Sequence, residues 1–276
     1  MNRRHLMKLS LMAALAPAGQ LQAAPKPLKS KDGSAKKGLG ISGKAPDFDR
    51  KLKSVNCKWF YNWTGAKPDD SPRSTDFIPM VWKYSGNPQS VEKVAAVAKE
   101  ENAKEILGFN EPDRSSQSNM TVQQALEAWP LLQKTGLRLG SPACAHPDND
   151  WMKEFMEGIK KRDLKVDFIC VHSYSGPNAD AFIERLEAIH KLYKKPLWIT
   201  EFAVGDWNAQ SLVENRFKPD EVLKFMKDVL PKLDRLDFVE RYAWFPADID
   251  SPPLGNSALW DADGKLTRLG ECYRDH

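Results

Sequence analysis

Two glutamates stand where strand-like runs stop. Glu111 lies in "LGFNEPD", residues 107–113, between an amide and a proline, and Glu201 ends the apolar run of "PLWITEFA" from Pro196. Glycoside cleavage needs two such groups: one carboxyl that is protonated to release the leaving oxygen, and one that is ionised to trap or stabilise an oxocarbenium-like carbon. An acid at a strand terminus is commonplace, so neither residue is telling alone. The pair becomes informative through its Asn-Glu-Pro and Thr-Glu-Phe settings and through the aromatic residues around it. Trp63, Trp82 and Trp244 end strand-like runs, Trp207 follows Glu201 in a loop, and flat rings there would stack on sugar faces. Tyr61, two positions before Trp63, joins the candidate sugar-binding set. His172 and Tyr174 share one parity, so both can point inward, and one of them is expected to bind the nucleophile or a sugar hydroxyl. Trp59, Trp129, Trp151 and Phe155 lie within elements and are expected in the core. Trp198, out of phase with Glu201, is expected to face the helices.

These residues need a scaffold that brings distant strand ends together. Eight runs read as strands: "GLGIS" from Gly38, "KWFYNW" from Lys58, "FIPMVW" from Phe77, "EILGFNEP" from Glu105, "LRLGSPA" from Leu137, "VDFICVHSY" from Val166, "PLWITEFA" from Pro196 and "RYAWFPA" from Arg241. Helical spacing separates the later ones, as in "SVEKVAAVAKEEN" from Ser90 and "TVQQALEAWPLLQKT" from Thr121. It recurs in "DWMKEFMEGIKKR" from Asp150, "DAFIERLEAIHKLYKK" from Asp180 and "DEVLKFMKDVLPKL" near Asp220. Thr121 and Asp180 sit where helix caps belong. Eight alternations over about 250 residues predict an α/β fold, a single (β/α)8 TIM barrel. Its active site would lie at the carboxyl ends of the strands, with the fourth and seventh facing one another across the mouth. The rival is an open doubly wound sheet, for which "GLGISG" from Gly38 supplies a nominal Gly-x-Gly-x-x-Gly. No strand precedes that match, and Pro46 stands where a helix would have to begin, so it does not read as a nucleotide fingerprint.

The remaining features bound the function. Residues 1–23 have a basic start, an apolar middle and a small-residue exit, the anatomy of a cleavable signal peptide, with Arg3-Arg4 and Lys8 fitting the twin-arginine pattern. A bacterial secreted or periplasmic protein is expected. Residues 24–37 read as a disordered basic leader with solvated lysines, and 38–276 as the catalytic domain. Removing Arg3, Arg4 and Lys8 leaves 38 basic against 37 acidic residues, a near-neutral chain with no footprint for nucleic acid. No later stretch is long and apolar enough to span a membrane, and no exposed stripe demands a partner, so a monomer is expected. Cys57, Cys144, Cys170 and Cys272 form no Cys-x-x-Cys pair; packed thiols and disulfides both remain open. No metal or other cofactor is expected: "DADG" from Asp261 has Cys272 where a calcium loop needs its closing glutamate. No Gly-x-Ser-x-Gly elbow occurs, and the acceptor triplets at Asn62 and Asn119 are expected to stay unmodified.

"ILGFNEPD", "LGSPA", "VHSYSG" and "WITEFA", with "KWFYNW" near the start and "LTRLGECY" near the end, resemble glycoside hydrolase family 128, the glycosyl hydrolase catalytic core family of endo-β-1,3-glucanases. The likeness runs in order from Gly38 to Tyr273. It implies a cofactor-free retaining hydrolase of β-glucan, with Glu111 as general acid/base, Glu201 as nucleophile and Asn110 on the sugar 2-hydroxyl. Retention needs carboxyl groups about 5 to 5.5 Å apart. Burial and the like charge of Glu201 should raise the pKa of Glu111. A retaining β-glycanase of another linkage, or a glucan-binding protein without turnover, are the alternatives.

Overall fold

The computed structural model describes residues 33–276, so the expected signal peptide and most of the expected leader lie outside the described residues. Eight strands run in chain order: β1 (Lys37–Gly40), β2 (Trp59–Tyr61), β3 (Asp76–Phe77), β4 (Glu105–Ile106), β5 (Arg138–Leu139), β6 (Ile169–Ser175), β7 (Leu197–Val204) and β8 (Val239–Trp244). Each coincides with one of the runs read from the sequence. All paired strands are parallel, in the orders β3-β2-β1-β8-β7-β6 and β4-β5. Single parallel bridges, Met80 to Leu107 and Gly140 to Phe168, link the ends of one sheet to the other. Prolines explain why the middle strands are so short. Pro79, Pro112 and Pro142 lack the N–H that a longer ladder would need.

The helices α2 (Pro88–Glu100), α3 (Val122–Gln133), α4 (Asp150–Lys161), α5 (Ala179–Tyr193) and α6 (Pro219–Arg235) alternate with these strands, and the sequence pattern anticipates all five. Thr121 caps α3 and shares a capping box with Gln124. Asp180 is not the cap of α5. Asn178 takes that role by accepting from Ala181 N at 3.0 Å, and Asp180 falls in the first turn, where its charge suits the helix dipole. Two short helices, α1 (Phe48–Ser54) and α7 (Arg268–Asp275), carry too few turns to show a period in the sequence.

Two apolar layers result. An outer one packs strand residues such as Phe60, Phe109, Val171 and Phe202 against the helices. An inner one, Trp59, Ile78, Leu107, Phe168, Cys170 and Trp198 among them, contains no helical residue and lies on the other face of the strands. Below it, Arg138 binds Glu240 at 2.9 Å, and Arg241 lays its guanidinium 4.5 Å from the Trp198 ring centre.

Trp198 therefore faces inward, against what strict alternation predicts. Ile199 pairs with Val171 and Tyr242, whereas Glu201 pairs with His172 and Phe202 with Trp244, so β7 holds one residue more than its neighbours across Thr200. The bulge shifts the alternation by one and lets Trp198 and Glu201, three apart, share the inner face.

The lysines of the expected leader are not all solvated. Lys36 Nζ caps α6 through the carbonyls of Leu233, Asp234 and Leu236 at 2.9 to 3.3 Å. Lys37, wholly buried, reaches Tyr273 O at 2.6 Å and Arg274 O at 3.0 Å at the end of α7. Cations at helix carboxyl ends meet both the free carbonyls and the dipole, and here they fasten the first strand to the last two helices. All four cysteines are free thiols, three of them buried.

Candidate active site

Glu201 comes off the β7 bulge almost fully buried, 5% exposed, and is ringed by donors. Trp63 Nε1 donates to its Oε1 at 2.8 Å and Tyr61 Oη at 3.1 Å, while Tyr174 Oη donates to Oε2. Burial, reinforced by the Glu201 charge, pushes both phenols well above their ordinary pKa, so they remain donors at any working pH. A carboxylate held by three neutral donors is fixed in direction.

Glu111 is aimed by backbone geometry that side chains rarely adopt. Its φ is +37°, in the left-handed region, at a cost of roughly 1–3 kcal/mol. The turn is held from several directions: Glu111 N donates to Ala143 O at 2.8 Å, and Arg114 N donates to Glu111 O at 3.0 Å. Asp113 accepts from Ala145 N at 3.1 Å and from Asn149 Nδ2 at 2.8 Å. Trp63 shares this conformation, with φ of +58°. Both residues leave their strands in a direction that regular β-structure cannot supply.

His172 stands between the two acids. Its Nδ1 lies 3.0 Å from Glu111 Oε1 in a hydrogen bond, and its Nε2 lies 3.3 Å from Glu201 Oε1 without hydrogen-bond alignment. One oxygen of each glutamate and one ring nitrogen fall within 4.8 Å of one another. As a metal-binding set this trio is badly disposed, because the two ring nitrogens address different carboxylates.

The expected rise in the Glu111 pKa is not what the structure gives. Burial does push the carboxyl up, but the hydrogen bond and charge of His172, with smaller help from Arg114 and His146, outweigh it and hold Glu111 below its ordinary value. Burial pushes His172 down, and the charges of Glu201 and Glu111 more than offset this, raising it above the usual imidazole value. A proton in the resting site thus belongs chiefly to the ring, one hydrogen bond from Glu111.

A cavity of about 760 Å³ opens above the acids. Trp63, Trp207, Phe245 and Leu254 make its apolar wall, with Trp207 59% exposed; Trp82, Asn110 and Tyr174 also line it. Asn110 Nδ2 donates to Gln117 Oε1 at 3.2 Å, leaving its buried Oδ1 without a protein partner. The expected residues thus gather in one place, with three changes. His172 is buried between the two acids and does not line the cavity. Tyr61 lies beneath Glu201 as a support and does not line the cavity. Trp244 is no part of the wall: it is wholly buried with Tyr242, Phe202 and Phe225 on the helix side of β8, and its indole donates to Ser257 O at 2.9 Å. Its neighbour Phe245, of opposite parity, reaches the cavity instead. Trp244→Ala should therefore act on stability, costing about 3–5 kcal/mol in urea unfolding; a raised KM with an unchanged transition would contradict the packing.

The sequence reading also missed Arg114, Gln117, His146 and Arg185. His146, in the segment after β5, had a legible signal, being a polar residue beyond the carboxyl end of a strand run.

Two carboxyl groups converging from β4 and β7 under an aromatic-walled cleft make the site that of a glycoside hydrolase. Residues 38–273 match the family model described as glycosyl hydrolase catalytic core, and the chain belongs to that family, glycoside hydrolase family 128. It is 32% identical over 252 residues to "Alkali-sensitive linkage protein 1" of Schizosaccharomyces pombe, covering 87% of this chain and 44% of that protein. The chain thus spans less than half the length of this curated relative. Among solved structures it is similar to a subgroup I GH128 endo-β-1,3-glucanase from Amycolatopsis mediterranei in complex with laminaritriose, at 33% identity and TM-score 0.75 over 87% of this chain and 98% of that one. A subgroup III curdlan-specific exo-β-1,3-glucanase from Blastomyces gilchristii, in complex with glucose, is 28% identical with TM-score 0.69, over 88% and 99% of the two chains.

Proposed function

We propose that this chain is an endo-β-1,3-glucanase acting by double displacement on a closed (β/α)8 barrel. The parallel bridges that join β3 to β4 and β5 to β6 support closure. One observation carries the mechanism: Glu111 and Glu201 face each other across His172 with carboxylate oxygens within 4.8 Å. That separation suits a retaining site, because it leaves no room for a water between the Glu201 carboxylate and the anomeric carbon.

In the first displacement Glu201 attacks the anomeric carbon while the glycosidic oxygen departs with a proton from Glu111. Tyr61, Trp63 and Tyr174 aim the attacking carboxylate and keep hydrogen-bonding it once it becomes an ester. In the second, Glu111 takes a proton from water, whose oxygen displaces Glu201 from the same carbon. The Asn110 amide, anchored on Gln117, offers its free oxygen to the sugar 2-hydroxyl. Trp63, Trp207 and Phe245 supply apolar faces for glucose units. The linkage assignment draws support from the β-1,3-glucanases in the family, and retention of both acids favours turnover over mere glucan binding.

Proton NMR of a linear β-1,3-linked hexasaccharide during digestion tests the reading. New reducing ends should appear first as the β-anomer, and internal cleavage should give several product sizes at once. Initial α-anomer would mean inversion, and preferential attack on a β-1,4 chain would overturn the linkage.

A further inference from the structure

We propose that the Glu111 side of the cleft binds an anionic group, a carboxylate or equivalent, carried on the leaving-side units of a β-linked glucan, through Arg114 and Arg185. The inference rests on the glucanase reading for the orientation of the chain, since the unit that departs must lie beside the acid that protonates its oxygen.

A neutral glucan gives guanidinium groups nothing to neutralise, yet this wall carries two of them. Arg114, in the turn after Glu111, has no ion pair and no side-chain hydrogen bond among the described residues, and it lines the cavity. Arg185 reaches the same cavity from α5; its nearest acid, Asp148, stands 3.6 Å away on the exposed side. Its Nε is buried without a protein acceptor. A desolvated charged donor left unmatched costs stability, and such cost is repaid when a ligand supplies the acceptor. His146 adds ring nitrogens to the same wall. The only acids lining this cavity among the described residues are Glu111 and Glu201 themselves. Trp63, Trp207, Phe245 and Leu254 make another part of the lining apolar, so the cavity has a basic side and an apolar side.

The simplest competing account has these cations tune Glu111. That account works against catalysis, because Arg114 and His146 lower the proton affinity of a group that must deliver a proton. A bound anion would offset their field and return proton affinity to Glu111, coupling recognition of the leaving-side charge to the acid step.

Two β-1,3-linked pentasaccharides distinguish the readings, one oxidised at its reducing end to the aldonate and one reduced to the neutral alditol. Both carry the same open-chain unit and differ in charge. Calorimetric titration into the full chain bearing Glu201→Gln should show the aldonate binding about tenfold tighter at low salt, with the preference shrinking at high salt. Arg114→Gln and Arg185→Gln, each added to that background, should reduce the ratio toward one while alditol binding reports an intact cleft. Should an arginine variant fail to fold, the salt series on the parent decides. Equal affinity, tighter alditol binding, no binding of either sugar, or a preference indifferent to salt and to both arginines overturns the proposal. Aldonate preference in a protein whose unsubstituted form releases no sugar from neutral glucan would support the anion site and sink the glucanase reading instead.

Discussion

Glu201→Ala should reduce hydrolysis of linear β-1,3-glucan on the order of 10⁴-fold or more, the scale on which nucleophile deletions act. The loss should fall on kcat, because Glu201 is buried beneath the aromatic wall of the cavity and should contribute little to holding the ground state. Removing its side chain leaves a small polar hole lined by Tyr61, Trp63 and Tyr174, all of them donors. Azide can enter that hole. With an aryl β-glycoside, whose leaving group needs no acid, azide should restore turnover and yield the α-glycosyl azide, since attack comes from the face Glu201 had occupied. Reducing-sugar release and identification of the azide product check both parts. Residual activity within tenfold of the unsubstituted chain, or a β-azide from this variant, would show that some other residue attacks carbon.

Much of this site was legible because its residues follow strand runs whose apolar character is strong. Glu111, His172, Tyr174 and Glu201 all lie at carboxyl ends that eight alternating runs had already ordered. What failed was parity. The extra residue at Thr200 in β7 reverses which side chains face inward, so Trp198 and Glu201 share a face that strict alternation denies them. Nothing in "PLWITEFA" marks a bulge. Trp244 was misplaced for the opposite reason, because an aromatic at a strand end looks like a sugar platform until Tyr242 and Ala243 fix which way β8 faces. Arg114, Gln117 and Arg185 reach the cavity from a turn and a helix, and charged residues in such places usually face solvent. Lys36 and Lys37 read as solvated because their partners are helix carbonyls some two hundred residues further along the chain. The sign of the Glu111 pKa shift needed a distance, His172 Nδ1 at 3.0 Å, that no spacing in the sequence contains.

Glu111→Ala should separate the two displacements. General acid/base groups contribute about 10²–10⁴-fold, and glucan, with a poor leaving oxygen, should suffer the upper end of that range. An aryl β-glycoside with an acidic phenol should still glycosylate Glu201 and then stall, giving a burst of phenol followed by slow turnover. Azide should relieve the stall and form the β-glycosyl azide, the opposite anomer from the Glu201 variant. The pH dependence is set by the shared proton. Glu111 is held below its ordinary pKa and His172 above its own, so between those two values the resting pair is carboxylate and imidazolium. The stability His172 gains from this pairing is complete below the unfolded imidazole value and is lost as pH rises through its raised folded value. The share from Glu111 is present above the unfolded carboxyl value and is lost as pH falls through its lowered folded one. For catalysis the alkaline side is decisive. Once pH passes the His172 value, the ring is a neutral imidazole and the pair no longer holds the acidic proton that could pass to Glu111, so kcat/KM for glucan should decline. The aryl glycoside, which needs no proton for its first step, should not show that decline in its burst rate. A glucan profile that stays flat from about pH 6 to 9, or an aryl glycoside burst that falls in parallel with it, would mean that the proton His172 holds is not the one delivered to the leaving oxygen.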